Sequence, residues 1–142
     1  MALAGGNTVN ATEDELNTVF SNILNTGLHG LCFSPYSGDQ KPGSELTGEQ
    51  IQSRLEIIKP YTSWVRTFSC ADGNERIPRI AHENGLKTMV GAWLGKNLDD
   101  NEKEIANLIE IARAGYADSV AVGNEVLYRD DLSEEHLITY ID

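Results

Sequence analysis

Four times after His29 a short apolar run gives way to an amphipathic stretch of helical length, and no other feature restricts the chain's topology as much. Strands joined through a helix must be parallel, because a hairpin needs only a few residues of turn. The apolar runs Gly30–Ser34, Trp64–Phe68, Leu86–Leu94 and Asp118–Gly123 predict the strands. Between the first two, Thr47 and Gln50 form a capping box, Ile51, Leu55 and Ile58 make a buried face, and Pro60 forces the exit. A second helix over Glu75–Asn84 turns Ile77, Ile80 and Ala81 inward, tolerates Pro78 only in its first turn, and ends at Gly85. The third, Glu102–Ala114, puts Ile105, Leu108, Ile109 and Ala112 on one face, with Gly115 after it. Ser133 caps a last helix that carries Leu137, Ile138 and Ile141.

Ahead of these units, residues 12–25 read as a separate helix. Thr12 and Glu15 supply a capping box, Gly27 stops it, and Leu16, Val19, Phe20, Ile23 and Leu24 form one apolar stripe. That stripe is expected to be buried, on the bottom of a barrel or on another chain. Residues 1–28 therefore divide off as a capping segment, and 29–142 hold the four βα units. Two architectures accommodate four such units. One is a doubly wound open sheet, with its ligand at a switch point; the other is half of a (β/α)8 barrel, with its site at the strand C-termini. No GxGxxG or GxxxxGK[ST] fingerprint favours the first.

At 142 residues and 40% hydrophobic content, the chain has enough for one core and too little for two ordinary domains. Asp and Glu outnumber Lys and Arg 22 to 11, a net charge of −11 that argues against nucleic acid. An acidic surface is compatible with a neutral polymer such as a glycan without pointing to one. No stretch has the length of a membrane helix, and Met1–Gly6 lacks the basic start and apolar run of a signal peptide. Asn10-Ala11-Thr12 fits a glycosylation sequon. Cys32 and Cys70 form no disulfide framework and read as two small buried residues on neighbouring strands. His29, His82 and His136 are scattered, so neither a metal set nor a cofactor is expected, and His82 reads as a helix-surface or packing residue.

The strands run out into polar or aromatic tips: Ser34, Pro35 and Tyr36; Phe68, Ser69 and Asp72; Trp93; then Asn124 and Glu125. Brought to one face, they would make an aromatic cleft with carboxylates at its floor. Rings pack on the apolar C–H faces of a sugar while polar groups take its hydroxyls. Ser119–Val122 is an apolar run that ends abruptly in Gly123, Asn124 and Glu125. Gly123 permits close backbone approach, and Asn124 can bond a hydroxyl or steady the acid. A carboxyl placed there is expected to be partly desolvated, which raises its pKa toward what a general acid needs.

Gly123-Asn124-Glu125-Val126-Leu127, together with Ser34-Pro35-Tyr36, Val65-Arg66-Thr67-Phe68 and Gly91-Ala92-Trp93-Leu94, resembles glycoside hydrolase family 17, the β-1,3-glucanases and related transglycosylases. The similarity runs in order from about Gly30 to Arg129 and is nearer the bacterial and fungal exo-acting type. It implies the α/β class, as a (βα)4 half of a (β/α)8 TIM-type barrel with an extra N-terminal helix. It also implies Glu125 as the acid/base, Asn124 as the group that binds the glycon 2-hydroxyl, and Arg66 as the arginine that supports the nucleophile. Tyr36, Phe68 and Trp93 become subsite residues for a β-glucan oligosaccharide. The family works outside the cytoplasm, so a secreted, periplasmic or cell-envelope setting is what the resemblance suggests.

A retaining mechanism needs a second carboxyl about 5–5.5 Å from the first. The family places this nucleophile on a seventh strand, whereas Asp142 falls in the fourth helix after the strands begin. Asp39, Asp72 and the Asp99–Asp100 pair match no family nucleophile and read as loop or capping charges. The isolated chain is therefore expected to turn over glucan poorly. An open four-stranded parallel sheet also exposes two edges and leaves Phe33, Val65, Met89 and Val122 without an opposite half. Pairing with a second copy or with a C-terminal half-barrel, or curling into a flatter flavodoxin-like sheet with the first helix over one face, is the expected remedy. Non-catalytic glucan binding, half-barrel assembly and transglycosylation stay open beside hydrolysis.

Overall fold

A computed structural model of the chain describes residues 11–142. The elements run α1 (Glu13–Thr26), β1 (Leu28–Cys32), α2 (Gly48–Ile58), β2 (Thr62–Arg66), a 3-10 turn (Asn74–Arg76), α3 (Ile77–Glu83), β3 (Lys87–Ala92), α4 (Leu98–Arg113), β4 (Ser119–Val122) and α5 (Glu134–Ile141). All strand pairs are parallel and the order is β1-β2-β3-β4. An order that never reverses has no switch point, so the doubly wound alternative falls away. What remains is a mixed α/β fold with a four-stranded, singly wound parallel sheet, consistent with half of a βα barrel.

The register shows which face the helices cover. Val65 is fully buried among Ile51 and Leu55 of α2 and Ile77, Ile80 and Ala81 of α3. Its register partner is Thr88, which shares a face with Val90, and Val90 packs on Leu108 and Ile111 of α4. Helices α2, α3 and α4 therefore lie on one side of the sheet. Each fully buried Ile or Leu of this layer stabilises the fold by about 1.5–3 kcal/mol. Trp64, Arg66, Met89 and Ser119 occupy the other face, half-buried. This corrects the expectation for Phe33, Val65 and Val122, which belong to the helix side; Met89 alone of the four lies on the open face. Apolar runs carry no mark of which parity meets the helices.

Local signals mostly hold. Thr12 and Glu15 close a full capping box on α1, and Asn10 of the sequon lies outside the described residues. Thr47 caps α2, but the Gln50 side chain does not return to complete the box; it donates to Pro35 O (2.7 Å) and bonds Gln40. The stripe on α1 forms without being buried: Leu16 is 41% and Phe20 67% exposed. Helix α4 starts four residues earlier than predicted, capped by Asn97, and its buried face is Asn101, Glu104, Leu108 and Ile111. Ile109 and Ala112 are exposed instead, because polar side chains that serve the neighbouring loops occupy the inner face. On α5, Ile138 and Ile141 are likewise exposed.

Each ladder extends one bond beyond its strand: Phe33 N donates to Arg66 O, Thr67 N to Met89 O, and Gly123 N to Ala92 O. The strands so end two or so residues before the sequence suggested, and the polar tips begin the loops. Cys70 is buried in the loop after β2, where burial pushes its thiol pKa up, whereas Cys32 at the end of β1 is exposed; both are free. Among the described residues, no helix is long and apolar enough to cross a membrane.

Candidate functional site

At the C-terminal ends of the strands the loops enclose a cleft of about 590 Å³, and each of the four strands sends a side chain to it. Tyr36 follows β1, Phe68 follows β2, Trp93 follows β3 and Asn124 follows β4. Gly91 explains how the second and third of these come so close. A Cβ at Gly91 would stand 2.5 Å from Thr67 O and 3.0 Å from Phe68 Cα, both backbone atoms. Gly91 N meanwhile donates to the Thr67 hydroxyl oxygen at 3.2 Å, which pins the two strands together where they leave the sheet.

The loop after β1 is tied to the loop after β2. Buried Asn74 donates to Tyr36 Oη (3.2 Å) and to Ala71 O (2.9 Å), and Leu46 N donates to Asp72 O. Gly73 makes this possible with φ of +88° against the Leu46 backbone, where a side chain would collide. Behind the cleft, on the open face of the sheet, Arg66 Nη2 donates to Asn124 Oδ1 at 3.0 Å and its guanidinium lies 4.8 Å from the Phe68 ring centroid. Its Nε is buried with no partner among the described residues.

Asn124 and Glu125 sit on a sharp turn. Gly123 has φ of +80° and Glu125 itself +53°, the left-handed region that non-glycine residues enter at a cost. Val126 is buried beneath this turn against Leu94 and Leu132. Arg129 N bonds back to Glu125 O, which closes one helical turn and swings the Arg129 guanidinium over the Trp93 ring, 4.2 Å from its centroid. That guanidinium also donates to Leu94 O (2.9 Å), to Asn124 O and to the Asp131 carboxylate (2.7 Å). One arginine therefore links the loop after β3 to the loop after β4.

Glu125 differs from its neighbours. Its residue is solvent-exposed and does not line the cleft. The partial desolvation expected of it is not present: Glu125 is exposed, and it follows β4, an edge strand with no strand paired beyond it among the described residues. The carboxyls that do line the cleft are Asp72, Asp100 and Glu104. Asp72 is exposed at a left-handed backbone position, and Asp100 stands beside Asp99 in the first turn of α4, as capping charges do. Glu104 is buried, and burial pushes its pKa up against the opposing pull of hydrogen bonds from Ser69, Cys70 and Trp93.

Sequence reasoning missed Arg129, Asn74 and Glu104. The signal for Glu104 was its spacing with Asn101, Leu108 and Ile111, one helical face in which polar residues occupy buried places. The histidines lie elsewhere: His29 stacks on Trp64, and His82 Nε2 meets Asp118 Oδ2 at 2.9 Å near the opposite ends of the strands. No group of three or more His, Cys, Asp or Glu among the described residues is arranged to hold a metal.

No curated protein and no solved structure matches the chain. Residues 30–142, the sheet, its helices and the cleft, match the family described as the BtgE/BtgC glycoside hydrolase domain. The chain that carries four strand-end side chains into one cleft belongs to that glycoside hydrolase family.

Proposed function

We propose that the cleft binds a β-1,3-linked glucan, as in glycoside hydrolase family 17, and that the chain is the first half of a retaining glycosidase barrel. The observation that carries this reading is the convergence of Tyr36, Phe68, Trp93 and Asn124 from four successive strands. Aromatic walls take the C–H faces of a pyranose, and Asn124 takes its 2-hydroxyl. Glu125 is the acid/base: it protonates the departing glycosidic oxygen and then activates the water that releases the sugar. Arg66 holds Asn124, and its buried, unpartnered Nε is a free donor for a carboxylate on the open face of the sheet. We assign that carboxylate, the nucleophile, to the other half of the barrel, a C-terminal half or a second copy. Alone, the chain binds and does not turn over.

The exposure of Glu125, outside the cleft lining, favours one second reading: a glucan-binding half-barrel without chemistry. Laminarin-type oligosaccharides, assayed with the chain alone and with a C-terminal half-barrel, separate the two. Turnover that appears only in the mixture and vanishes in Glu125→Gln is the expected result. Turnover that survives Glu125→Gln removes the acid/base assignment, binding without turnover in every mixture selects the second reading, and no binding removes both. Water or a sugar hydroxyl as the final acceptor decides between hydrolysis and transglycosylation, read from the products of the same assay.

A further inference from the structure

We propose that Glu104 is a positioning residue for the aromatic walls of the cleft, fixing the segment after Phe68 against the backbone of Trp93. Its carboxylate receives donors from two different loops. Ser69 Oγ donates to Oε1 at 2.5 Å, and Cys70 N (2.5 Å) and Trp93 N (3.2 Å) donate to Oε2. An ionised carboxylate is acceptor-only with about four lone-pair sites, which suits three converging donors. Glutamine offers a single acceptor oxygen and would turn an N–H toward a hydroxyl or another N–H. Burial of a carboxyl is costly unless such bonds are made, so its presence on the inner face of α4 calls for a local purpose.

The neighbouring side chains on α4 do the same work on the same loops. Asn101 brackets Gly95, accepting from its N–H (2.7 Å) and donating to its carbonyl (2.8 Å), and Asn107 donates to Cys70 O at 2.6 Å. Asn101, Glu104 and Asn107 recur every three residues and form one polar strip beside the cleft. Past it the face turns apolar, and Leu108 and Ile111 pack on Val90. The apolar part secures the helix to the sheet, while the polar strip sets where Phe68 and Trp93 stand relative to one another.

The consequence for sugar binding rests on the glucan reading above; the positioning itself is testable without a ligand. In a Trp64→Phe background Trp93 is the only tryptophan, and Trp64 lies outside the cleft. Emission and acrylamide quenching of Trp93 are measured free and with laminaripentaose. Glu104→Gln is expected to raise quenching and shift emission in the ligand-free chain, and to weaken the oligosaccharide about tenfold, the scale of one lost charge-assisted bond. Glu104→Asp, which keeps the charge and shortens the reach, should fall between, and it serves as the decisive variant if Glu104→Gln does not fold. Leu108→Ala should lower the melting temperature and leave Trp93 quenching as it was. Unchanged Trp93 emission and quenching in a folded Glu104 variant overturns the positioning role. A wild-type chain that binds no oligosaccharide, with the ligand-free shift intact, overturns the glucan reading alone.

Discussion

Replacing Gly91 by alanine adds one methyl group where the structure has no room for it. The added carbon would lie 2.5 Å from Thr67 O and 3.0 Å from Phe68 Cα. Carbon–oxygen contacts between neighbouring strands run at roughly 3.3 Å, so β2 and β3 would have to part by about 0.8 Å. Backbone atoms cannot swing aside as a side chain can, and the Thr67 hydroxyl bond to Gly91 N holds the pair shut. Overpacking of this kind costs about 1–3 kcal/mol. For a chain of this length that lowers the melting temperature by about 3–9 °C, at about 3 °C per kcal/mol. Thermal unfolding followed by circular dichroism measures it. Because the strain falls at Phe68, oligosaccharide affinity should drop even well below the melting temperature. A Gly91→Ala chain that melts within about 1 °C of wild type would refute the close-approach argument.

Other perturbations have equally definite outcomes. Arg129→Gln removes the cation from the Trp93 ring and the bonds to Leu94 O and Asp131, so Trp93 emission should shift and oligosaccharide binding weaken about tenfold or more by fluorescence titration. Thr12→Ala breaks the capping box of α1 and should cost about 1 kcal/mol of helix stability, read as lost far-ultraviolet helicity with the rest of the fold intact. Asp118 has its pKa lowered by the Thr88 N–H and then by His82. A depressed folded pKa contributes stability that is present above the unfolded value of about 3.9 and lost as pH falls through the folded value. Asp118→Asn should accordingly be less stable at neutral pH and lose less on acidification below pH of about 4, by denaturant titration at several pH values.

Parallel topology was legible because three helix-length connections between four strands leave a chain few alternatives, and the caps at Thr12, Thr47 and Ser133 fall where side-chain chemistry requires them. Facing was not legible. In Val65 and Val122 nothing distinguishes a residue that meets a helix from one that meets a barrel interior; that depends on the register between strands. Helix α4 misled for a related reason. Ile109 and Ala112 look like core by apolarity, yet Asn101 and Glu104 are buried because the loop amides of Gly95 and Cys70 need acceptors. At the site, Tyr36, Phe68, Trp93 and Asn124 could be named from their places at strand ends. Arg129 could not, since its role depends on a left-handed turn at Gly123 and Glu125 that folds the chain back over Trp93.

The central claim is that the tips of all four strands form one sugar site, and backbone-amide NMR on the labelled chain during titration with laminaripentaose tests it most directly. The account predicts saturable shifts at Tyr36, Phe68, Trp93 and Asn124, with Thr88 and Asp118 at the far ends of the strands unmoved. Shifts confined to those far ends, or none at saturating oligosaccharide, would contradict it.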